Sequence, residues 1–328
     1  MEKRIRLPED ELPHNNQAIE WWYFNGFLNG KNKYAFMTTL FKADREKANI
    51  KLLSIPLKTI YFSHTLLYDL NSKKIKKEIL PIVVPSLDSF SRKELFVNYF
   101  YPIKRSFLNY EISRNSGILR LKTAFFDLQL EQKKKTMLES GTGYIDFGNK
   151  STFYYSYPNM KAEGWIGNEK VSGKAWHDKQ WSKQGFIDDS WIWFSFQLPN
   201  NTEIVCFDYK GFKLATISYP DNHQESFHDI SISPVKETWK SFESGIHYSL
   251  NWEINIPGFK IKVSPIISNS EINTGSIYYW EGPVTAKING LAAQGFMELL
   301  PKAIPQKRGI INSLIEKEHL LKNLIYTG

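Results

Sequence analysis

Apolar and polar side chains alternate with a period of two along most of this chain. In Gly117-Ile-Leu-Arg-Leu-Lys122 and Phe259-Lys-Ile-Lys-Val263, neighbouring side chains point to opposite sides. That is the pattern of a strand with one face in a core and one in water. Turn-forming residues punctuate these runs: Asn29-Gly30, Asn71-Ser72, Asn115-Ser-Gly117, Pro199-Asn-Asn201, Pro220-Asp-Asn222, Pro257-Gly258 and Asn289-Gly290. Asparagine and glycine accept the left-handed backbone that tight hairpins require. Many short strands joined this way predict an all-β sandwich or barrel. One segment follows another period. Ile310, Ile311, Leu314, Ile315, Leu320, Leu321 and Leu324 recur at three- and four-residue steps, with Glu316, Lys317, Glu318 and Lys322 opposite. This predicts an amphipathic C-terminal helix packed on a barrel.

The halves share a loose plan. Trp21-Trp-Tyr-Phe24 precedes the apolar run Tyr34–Phe41, and Trp191-Ile-Trp-Phe194 precedes Glu203–Tyr209. With 328 residues, the chain suits two domains of ordinary size. The repeat predicts residues 1–184 for the first and 185–328 for the second.

Aromatic residues make up 15% of the chain, favouring pleated sheets and a ring-lined ligand site. The net charge is +8, but the basic residues are scattered in short runs such as Lys133-Lys-Lys135. Such runs predict hairpin tips and edge strands, where lysine discourages unwanted pairing. Nucleic acid is therefore not an expected partner, while peripheral contact with an anionic membrane surface stays open. The single cysteine, Cys206, lies in an apolar run and is expected in the core. No spacing suggests zinc, and no run approaches the ~18 apolar residues of a membrane span. The N-terminus lacks an apolar signal region, so a cytoplasmic location is expected.

The candidate chemistry concentrates in Gly173-Lys-Ala-Trp-His-Asp-Lys-Gln-Trp181. Aromatic rings beside ionisable groups suit an apolar cavity with polar groups aimed inward. On a strand, Trp176, Asp178 and Gln180 share one face, and His177, Lys179 and Trp181 share the other, so only one face meets a given cavity. By the same rule Glu20 shares a face with Trp22 and Phe24, and His64 shares one with Phe62 and Leu66. A carboxylate among rings loses hydration and becomes a proton donor near neutral pH, unless it pairs with a cation. Histidine titrates in the same range. Asp178, Glu20, His64 and His177 are therefore the acid–base candidates. Trp22, Tyr155, Trp176, Trp181, Trp191, Trp193, Glu281 and Glu298 are candidates for the ligand wall. Asp208 is a fifth acid among rings, and some of these acids are expected in salt bridges between the halves.

The segments Ile19-Glu-Trp-Trp-Tyr-Phe-Asn-Gly26, Tyr154-Tyr-Ser-Tyr-Pro158, Gly173–Trp181, Trp191-Ile-Trp-Phe194, Tyr279-Trp-Glu-Gly282 and Gly295-Phe-Met-Glu298 follow one another in this order. Together they resemble the AttH-like and carotenoid hydratase (hydroxyneurosporene synthase) superfamily over residues 19 to about 300. The resemblance implies two lipocalin-like antiparallel β-barrels in tandem and a hydrophobic substrate. Members hydrate isoprenoid double bonds or a plant isoflavonoid, or guide intramolecular cyclisation of polyenes. The carotenoid branch fits less well. Its tryptophan matches Trp181, but its histidine position holds Lys179, and its Tyr-x-Asp strand reads Phe207-Asp-Tyr209. Glu20, His64, Trp176, Asp178, Trp181, Trp191, Glu281 and Glu298 fall at motif positions of the AttH-like branch.

The expectation is an enzyme that acts without a cofactor or metal on a polyene or terpenoid-like molecule, by hydration or by cyclisation. A lipocalin-like carrier of a lipid or pigment, with every acid paired, is the alternative.

Overall fold

The computed structural model describes residues 4–48, 57–101, 110–186, 189–235, 238–274 and 277–301. The predicted helix at 310–324 lies outside the described residues. The first group of strands is β1 (Ile19–Asn29), β2 (Lys33–Asp44), β3 (Thr59–Asp69), β4 (Lys74–Pro85), β5 (Phe96–Phe100), β6 (Tyr110–Asn115), β7 (Ile118–Lys122), β8 (Asp127–Gln132), β9 (Met137–Leu138), β10 (Tyr144–Asp146), β11 (Ser151–Ile166) and β12 (Glu169–Ser182). The second is β13 (Trp191–Gln197), β14 (Glu203–Tyr209), β15 (Phe212–Ser218), β16 (Gln224–Phe227), β17 (Ser231–Pro234), β18 (Thr238–Lys240), β19 (His247–Ser249), β20 (Trp252–Ile256), β21 (Phe259–Pro265), β22 (Glu271–Asn273), β23 (Tyr278–Ile288) and β24 (Leu291–Leu300).

The first group runs β11-β12-β1-β2-β3-β4-β5-β6-β7-β8, and β8 pairs back onto β11. Ten strands thus close a barrel. The second sheet runs β16-β15-β14-β13-β24-β23-β21-β20-β17 and stays open as a half-barrel. It ends in two four-residue strands, β16 and β17. Ile246, Tyr248 and Leu250, on and around β19, join the core of that sheet. Side chains therefore fill its hollow. The chain passes between the sheets between Ser182 and Trp191.

Hairpin chemistry sets the registers. Ser116 and Gly117 have φ of 50° and 82°, and Asn289 and Gly290 have 50° and 86°. Left-handed backbone at both central residues is the signature of the turn whose twist matches the flanking strands.

Burial separates two kinds of strand. β7 alternates buried and exposed positions, so its outer face meets water. β1 is buried along almost its whole length, because one face enters the barrel and the other meets the half-barrel. Three apolar cores result. Trp22, Phe24 and Phe36 lie inside the barrel, and Phe194, Cys206 and Trp280 lie inside the half-barrel. Tyr23, Phe27, Trp176, Trp193, Phe207 and Phe296 lie in the seam between them.

The lysine runs are not all solvated. Lys134 is buried, and its Nζ sits 2.6 Å from Glu203 Oε2 and 2.7–3.1 Å from the carbonyls of Asn201, Ser218 and Tyr219. Lys77 donates to the Glu271 carbonyl at 2.6 Å. These ammonium groups tie the two sheets together.

Candidate active site

β12 and β1 pair with Asp178 opposite Tyr23. Continuing that register gives one row on the outer face of the barrel: Ser156 (β11), Asp178 (β12), Tyr23 (β1), Thr39 (β2) and His64 (β3). On the facing sheet Trp193 (β13), Glu298 (β24) and Glu281 (β23) form a second row. The rows meet in the seam. Trp193 Nε1 donates to the Tyr154 hydroxyl at 2.8 Å, and His64 Nδ1 lies 2.6 Å from the Tyr279 hydroxyl. Tyr68 donates to the Glu281 carbonyl at 2.9 Å. The Tyr23 and Trp193 rings meet edge-on with centroids 5.5 Å apart.

Asp178 is the best-supplied group in the seam. Ser156 Oγ (2.6 Å) and Trp176 Nε1 (2.5 Å) bond its Oδ1, and the Tyr154 hydroxyl (2.7 Å) bonds its Oδ2. Burial pushes its carboxyl up to about 7, and the three hydrogen bonds oppose that rise. Glu139, on the short turn Glu139–Gly141 after β9, reaches the same place. Its Oε1 lies 3.2 Å from Ser156 Oγ, and burial with Asp178 alongside raises it to about 8. Glu281 and Glu298 are cross-strand partners. Burial raises both, and Glu281 rises further through repulsion by Glu298. Tyr23 lies beside Glu281 and opposes that rise, and Trp191 Nε1 donates to Glu298 at 2.8 Å. One oxygen each of Glu281 and Glu139 is buried without a hydrogen-bond partner. Among the described residues no lysine or arginine offsets these four carboxyls. A buried acid without a counter-charge keeps its proton. The seam is therefore a store of protons walled by indole and phenol rings.

The other candidates face the barrel interior. Glu20 is fully buried, but Lys179, His14 and Lys42 surround it and bring it down to about 2. It is a fixed carboxylate, so the proton-donor role expected for it is corrected to an ion-pair role. Burial draws Lys179 down to about 8, leaving both partners charged at neutral pH. Lys179 Nζ also sits 3.7 Å from the Trp22 ring centroid, a cation–π contact. His177 stacks on Phe24 at 4.1 Å and its Nδ1 bonds the Tyr23 carbonyl. Burial lowers its ring to about 3, so it stays neutral and belongs to the barrel core. Trp22, Tyr155 and Trp181 line that same core and do not reach Asp178's face. Asp208 caps a turn by accepting from Gly211 N at 2.7 Å.

Asp178, His64, Trp176, Trp191, Trp193, Glu281 and Glu298 are thus brought to one seam. His64 is neutral, with burial holding it near 3. Three strand spacings separate it from Asp178, roughly 14 Å, so the two mark opposite ends of an elongated site. Sequence reading missed Tyr23, Tyr154, Ser156 and Tyr279, whose signal was the same alternation that placed Asp178. It also missed Glu139, which sits on a turn and carries no periodic signal. An open groove of about 440 Å³, lined by Lys133, Lys134, Lys161 and Lys174 with Asn159 and Asn201, lies at one end of the seam. Lys174 shares Asp178's strand face four residues away, ~13 Å along β12. None of the four buried carboxyls lines this groove. Among the described residues no cluster of three His, Cys, Asp or Glu side chains could hold a metal ion, and no helix is long and apolar enough to cross a membrane.

A closed antiparallel barrel packed on a curved half-barrel, with acids and rings in the seam, defines a lipocalin-like two-sheet protein. The sequence profile of the AttH-like family matches residues 1–301, and the chain belongs to that family. Kievitone hydratase of Fusarium solani subsp. phaseoli is 24% identical over 206 residues, which span 56% of this chain and 59% of that one. The match thus spans under two thirds of that relative's length. An AttH-assigned protein of Nitrosomonas europaea superposes with a TM-score of 0.74 at 21% identity, covering 92% of this chain and 98% of that one. Kievitone hydratase of Nectria haematococca superposes with a TM-score of 0.69 at 18% identity, covering 92% and 94%.

Proposed function

We propose that this protein is a hydratase that adds water across a carbon–carbon double bond of an apolar, polyene or terpenoid-like molecule held in the seam. The observation that carries this reading is Asp178, a buried carboxyl with three hydrogen-bond donors and no cation beside it. Protonating an alkene needs a strong acid held protonated near neutral pH and shielded from water. Asp178 meets that need. The alkene carbon takes the Asp178 proton, and the cation left on its neighbour is stabilised by the faces of Trp176 and Trp193. Water adds to that cation, and the resulting oxonium loses a proton to solvent. The His64–Tyr279 pair supplies a neutral acceptor and a phenol to orient a polar end of the substrate. The steps use side chains of this chain alone. The likeness to kievitone hydratase supports the same reaction class.

The test is incubation with a panel of polyenes and prenylated compounds, followed by mass spectrometry. A gain of one water supports the hydratase. An isomer of unchanged mass replaces it with a cyclase in the same seam, and a ligand retained unaltered replaces it with a carrier.

A further inference from the structure

Ser156 has one hydroxyl hydrogen and two carboxyl partners. Its Oγ lies 2.6 Å from Asp178 Oδ1 and 3.2 Å from Glu139 Oε1. All three side chains are fully or almost fully buried. If Ser156 donates to Asp178, its approach to Glu139 is favourable only when Glu139 carries a proton and donates back. If it donates to Glu139, the same holds for Asp178. Two ionised carboxylates would leave one oxygen–oxygen contact without a hydrogen. The unit therefore contains at least one extra proton.

The unit also points outward. The Thr216 side chain on β15 lies beside Glu139 and opposes the rise of its carboxyl. Thr216 Oγ1 lies 3.2 Å from Ser226 Oγ, on the half-exposed edge strand β16. The second Glu139 oxygen is buried and unpartnered, so the carboxyl has a free lone pair to pass a proton along. The charged and titratable groups that bear on the unit are Tyr154 against Asp178, with Glu281 and Glu298 across the seam.

We propose that Glu139 and Ser156 form a proton wire that reloads Asp178, with Thr216 and Ser226 on its solvent side. Glu139 is a positioning residue that acts through Ser156. This role rests on the hydratase reading for its purpose, though not for its existence. After Asp178 gives its proton to the alkene, its carboxylate takes the Ser156 hydrogen. Ser156 takes the Glu139 proton in the same movement, and Glu139 recovers one from water on its Thr216 side. The oxonium formed on the substrate releases one proton to solvent. The cycle consumes only alkene and water.

Infrared titration of the free protein tests the wire without substrate. The wild type should show a carboxylic-acid band that persists above neutral pH. Glu139→Gln should remove part of that band and leave the Asp178 midpoint near 7, because Glu139 is still protonated when Asp178 ionises. Asp178→Asn should lower the Glu139 midpoint by about one pH unit or more, because the carboxylate that raises it is gone. Ser156→Ala, which changes one oxygen atom, guards against a fold defect in Glu139→Gln. It should slow hydrogen exchange at the Asp178 carboxyl at least tenfold. With a working substrate, Glu139→Gln should still protonate once per site in a single turnover while steady-state turnover falls more than tenfold. An unchanged Glu139 midpoint in Asp178→Asn, with unchanged exchange in Ser156→Ala, would overturn the wire. Coupled midpoints with no hydration of any substrate would instead retain the wire and discard the hydratase.

Discussion

The Tyr154 hydroxyl donates to Asp178 Oδ2 over 2.7 Å. That bond, made on the outer face of the barrel, is held from the other side of the seam by Trp193. The position of the acid is thus set by both sheets at once, and its proton affinity follows from that closure.

Removing the acid should remove the chemistry and spare the fold. Asp178→Asn keeps the shape and the acceptor oxygen but has no proton to give. Hydration should fall about 10²–10⁴-fold, the usual worth of a general acid. In the wild type, activity should decline as pH rises through about 7, where Asp178 ionises. A pH–rate profile checks both, and a limb unmoved by the substitution would remove Asp178 from the mechanism.

Tyr154→Phe should move that limb upward. The Tyr154 hydrogen bond favours the ionised form of Asp178, so its loss leaves the carboxyl harder to ionise. The variant also strands Trp193 Nε1, a buried donor, at a cost of about 1–3 kcal/mol. The paired measurement is a pH–rate profile with urea denaturation of the same variant.

Stability should fall as pH rises from about 5 to about 7. Asp178 and Glu139 ionise near 4 in an unfolded chain but near 7 and 8 in the fold. Between these values the folded state binds more protons, so each group contributes stability that is full below pH 4 and lost as pH passes its folded value. The slope is about 1.4 kcal/mol per pH unit per group. Glu20 acts oppositely. Its value falls from 4.5 to about 2, so its contribution is present above 4.5 and lost as pH falls towards 2. Urea midpoints across pH 3–8 should peak between these limbs, and Asp178→Asn should flatten the upper one.

Glu20→Gln should cost stability without altering the acid limb. It leaves Lys179 buried with an unpaired charge among Trp22 and Trp181, and breaking a buried pair costs about 3–5 kcal/mol. Denaturation should detect the loss, while the limb near pH 7 stays in place in the surviving fold. A shifted limb would place Glu20 in the chemistry after all.

Gly295→Ala should destabilise the half-barrel. An added Cβ would lie 2.0 Å from the Ser195 carbonyl and 2.8 Å from Phe196. Backbone cannot yield there without opening the β13–β24 pairing, and overpacking of this kind costs about 1–3 kcal/mol. A lowered urea midpoint with an unchanged slope is the expected signature.

Period-two alternation was enough to divide the residues around Asp178 and around Glu20 into faces, because a strand sends neighbouring side chains to opposite sides whatever surrounds it. Asn-Gly and Ser-Gly turns fixed where hairpins reverse, through the left-handed backbone those residues accept. The motif order carried the family. Alternation could not say which face meets which partner. Tyr155 and Tyr154 are equivalent by pattern, yet one enters the barrel and the other holds the acid. Asp178 and Glu20 are both carboxyls among tryptophans, yet Lys179 ionises one and the seam protonates the other. Glu139 came from a turn with no pattern at all. Charge state depends on what lies within a few ångströms across strands and sheets far apart in sequence, so only the tertiary structure decided where the acid is.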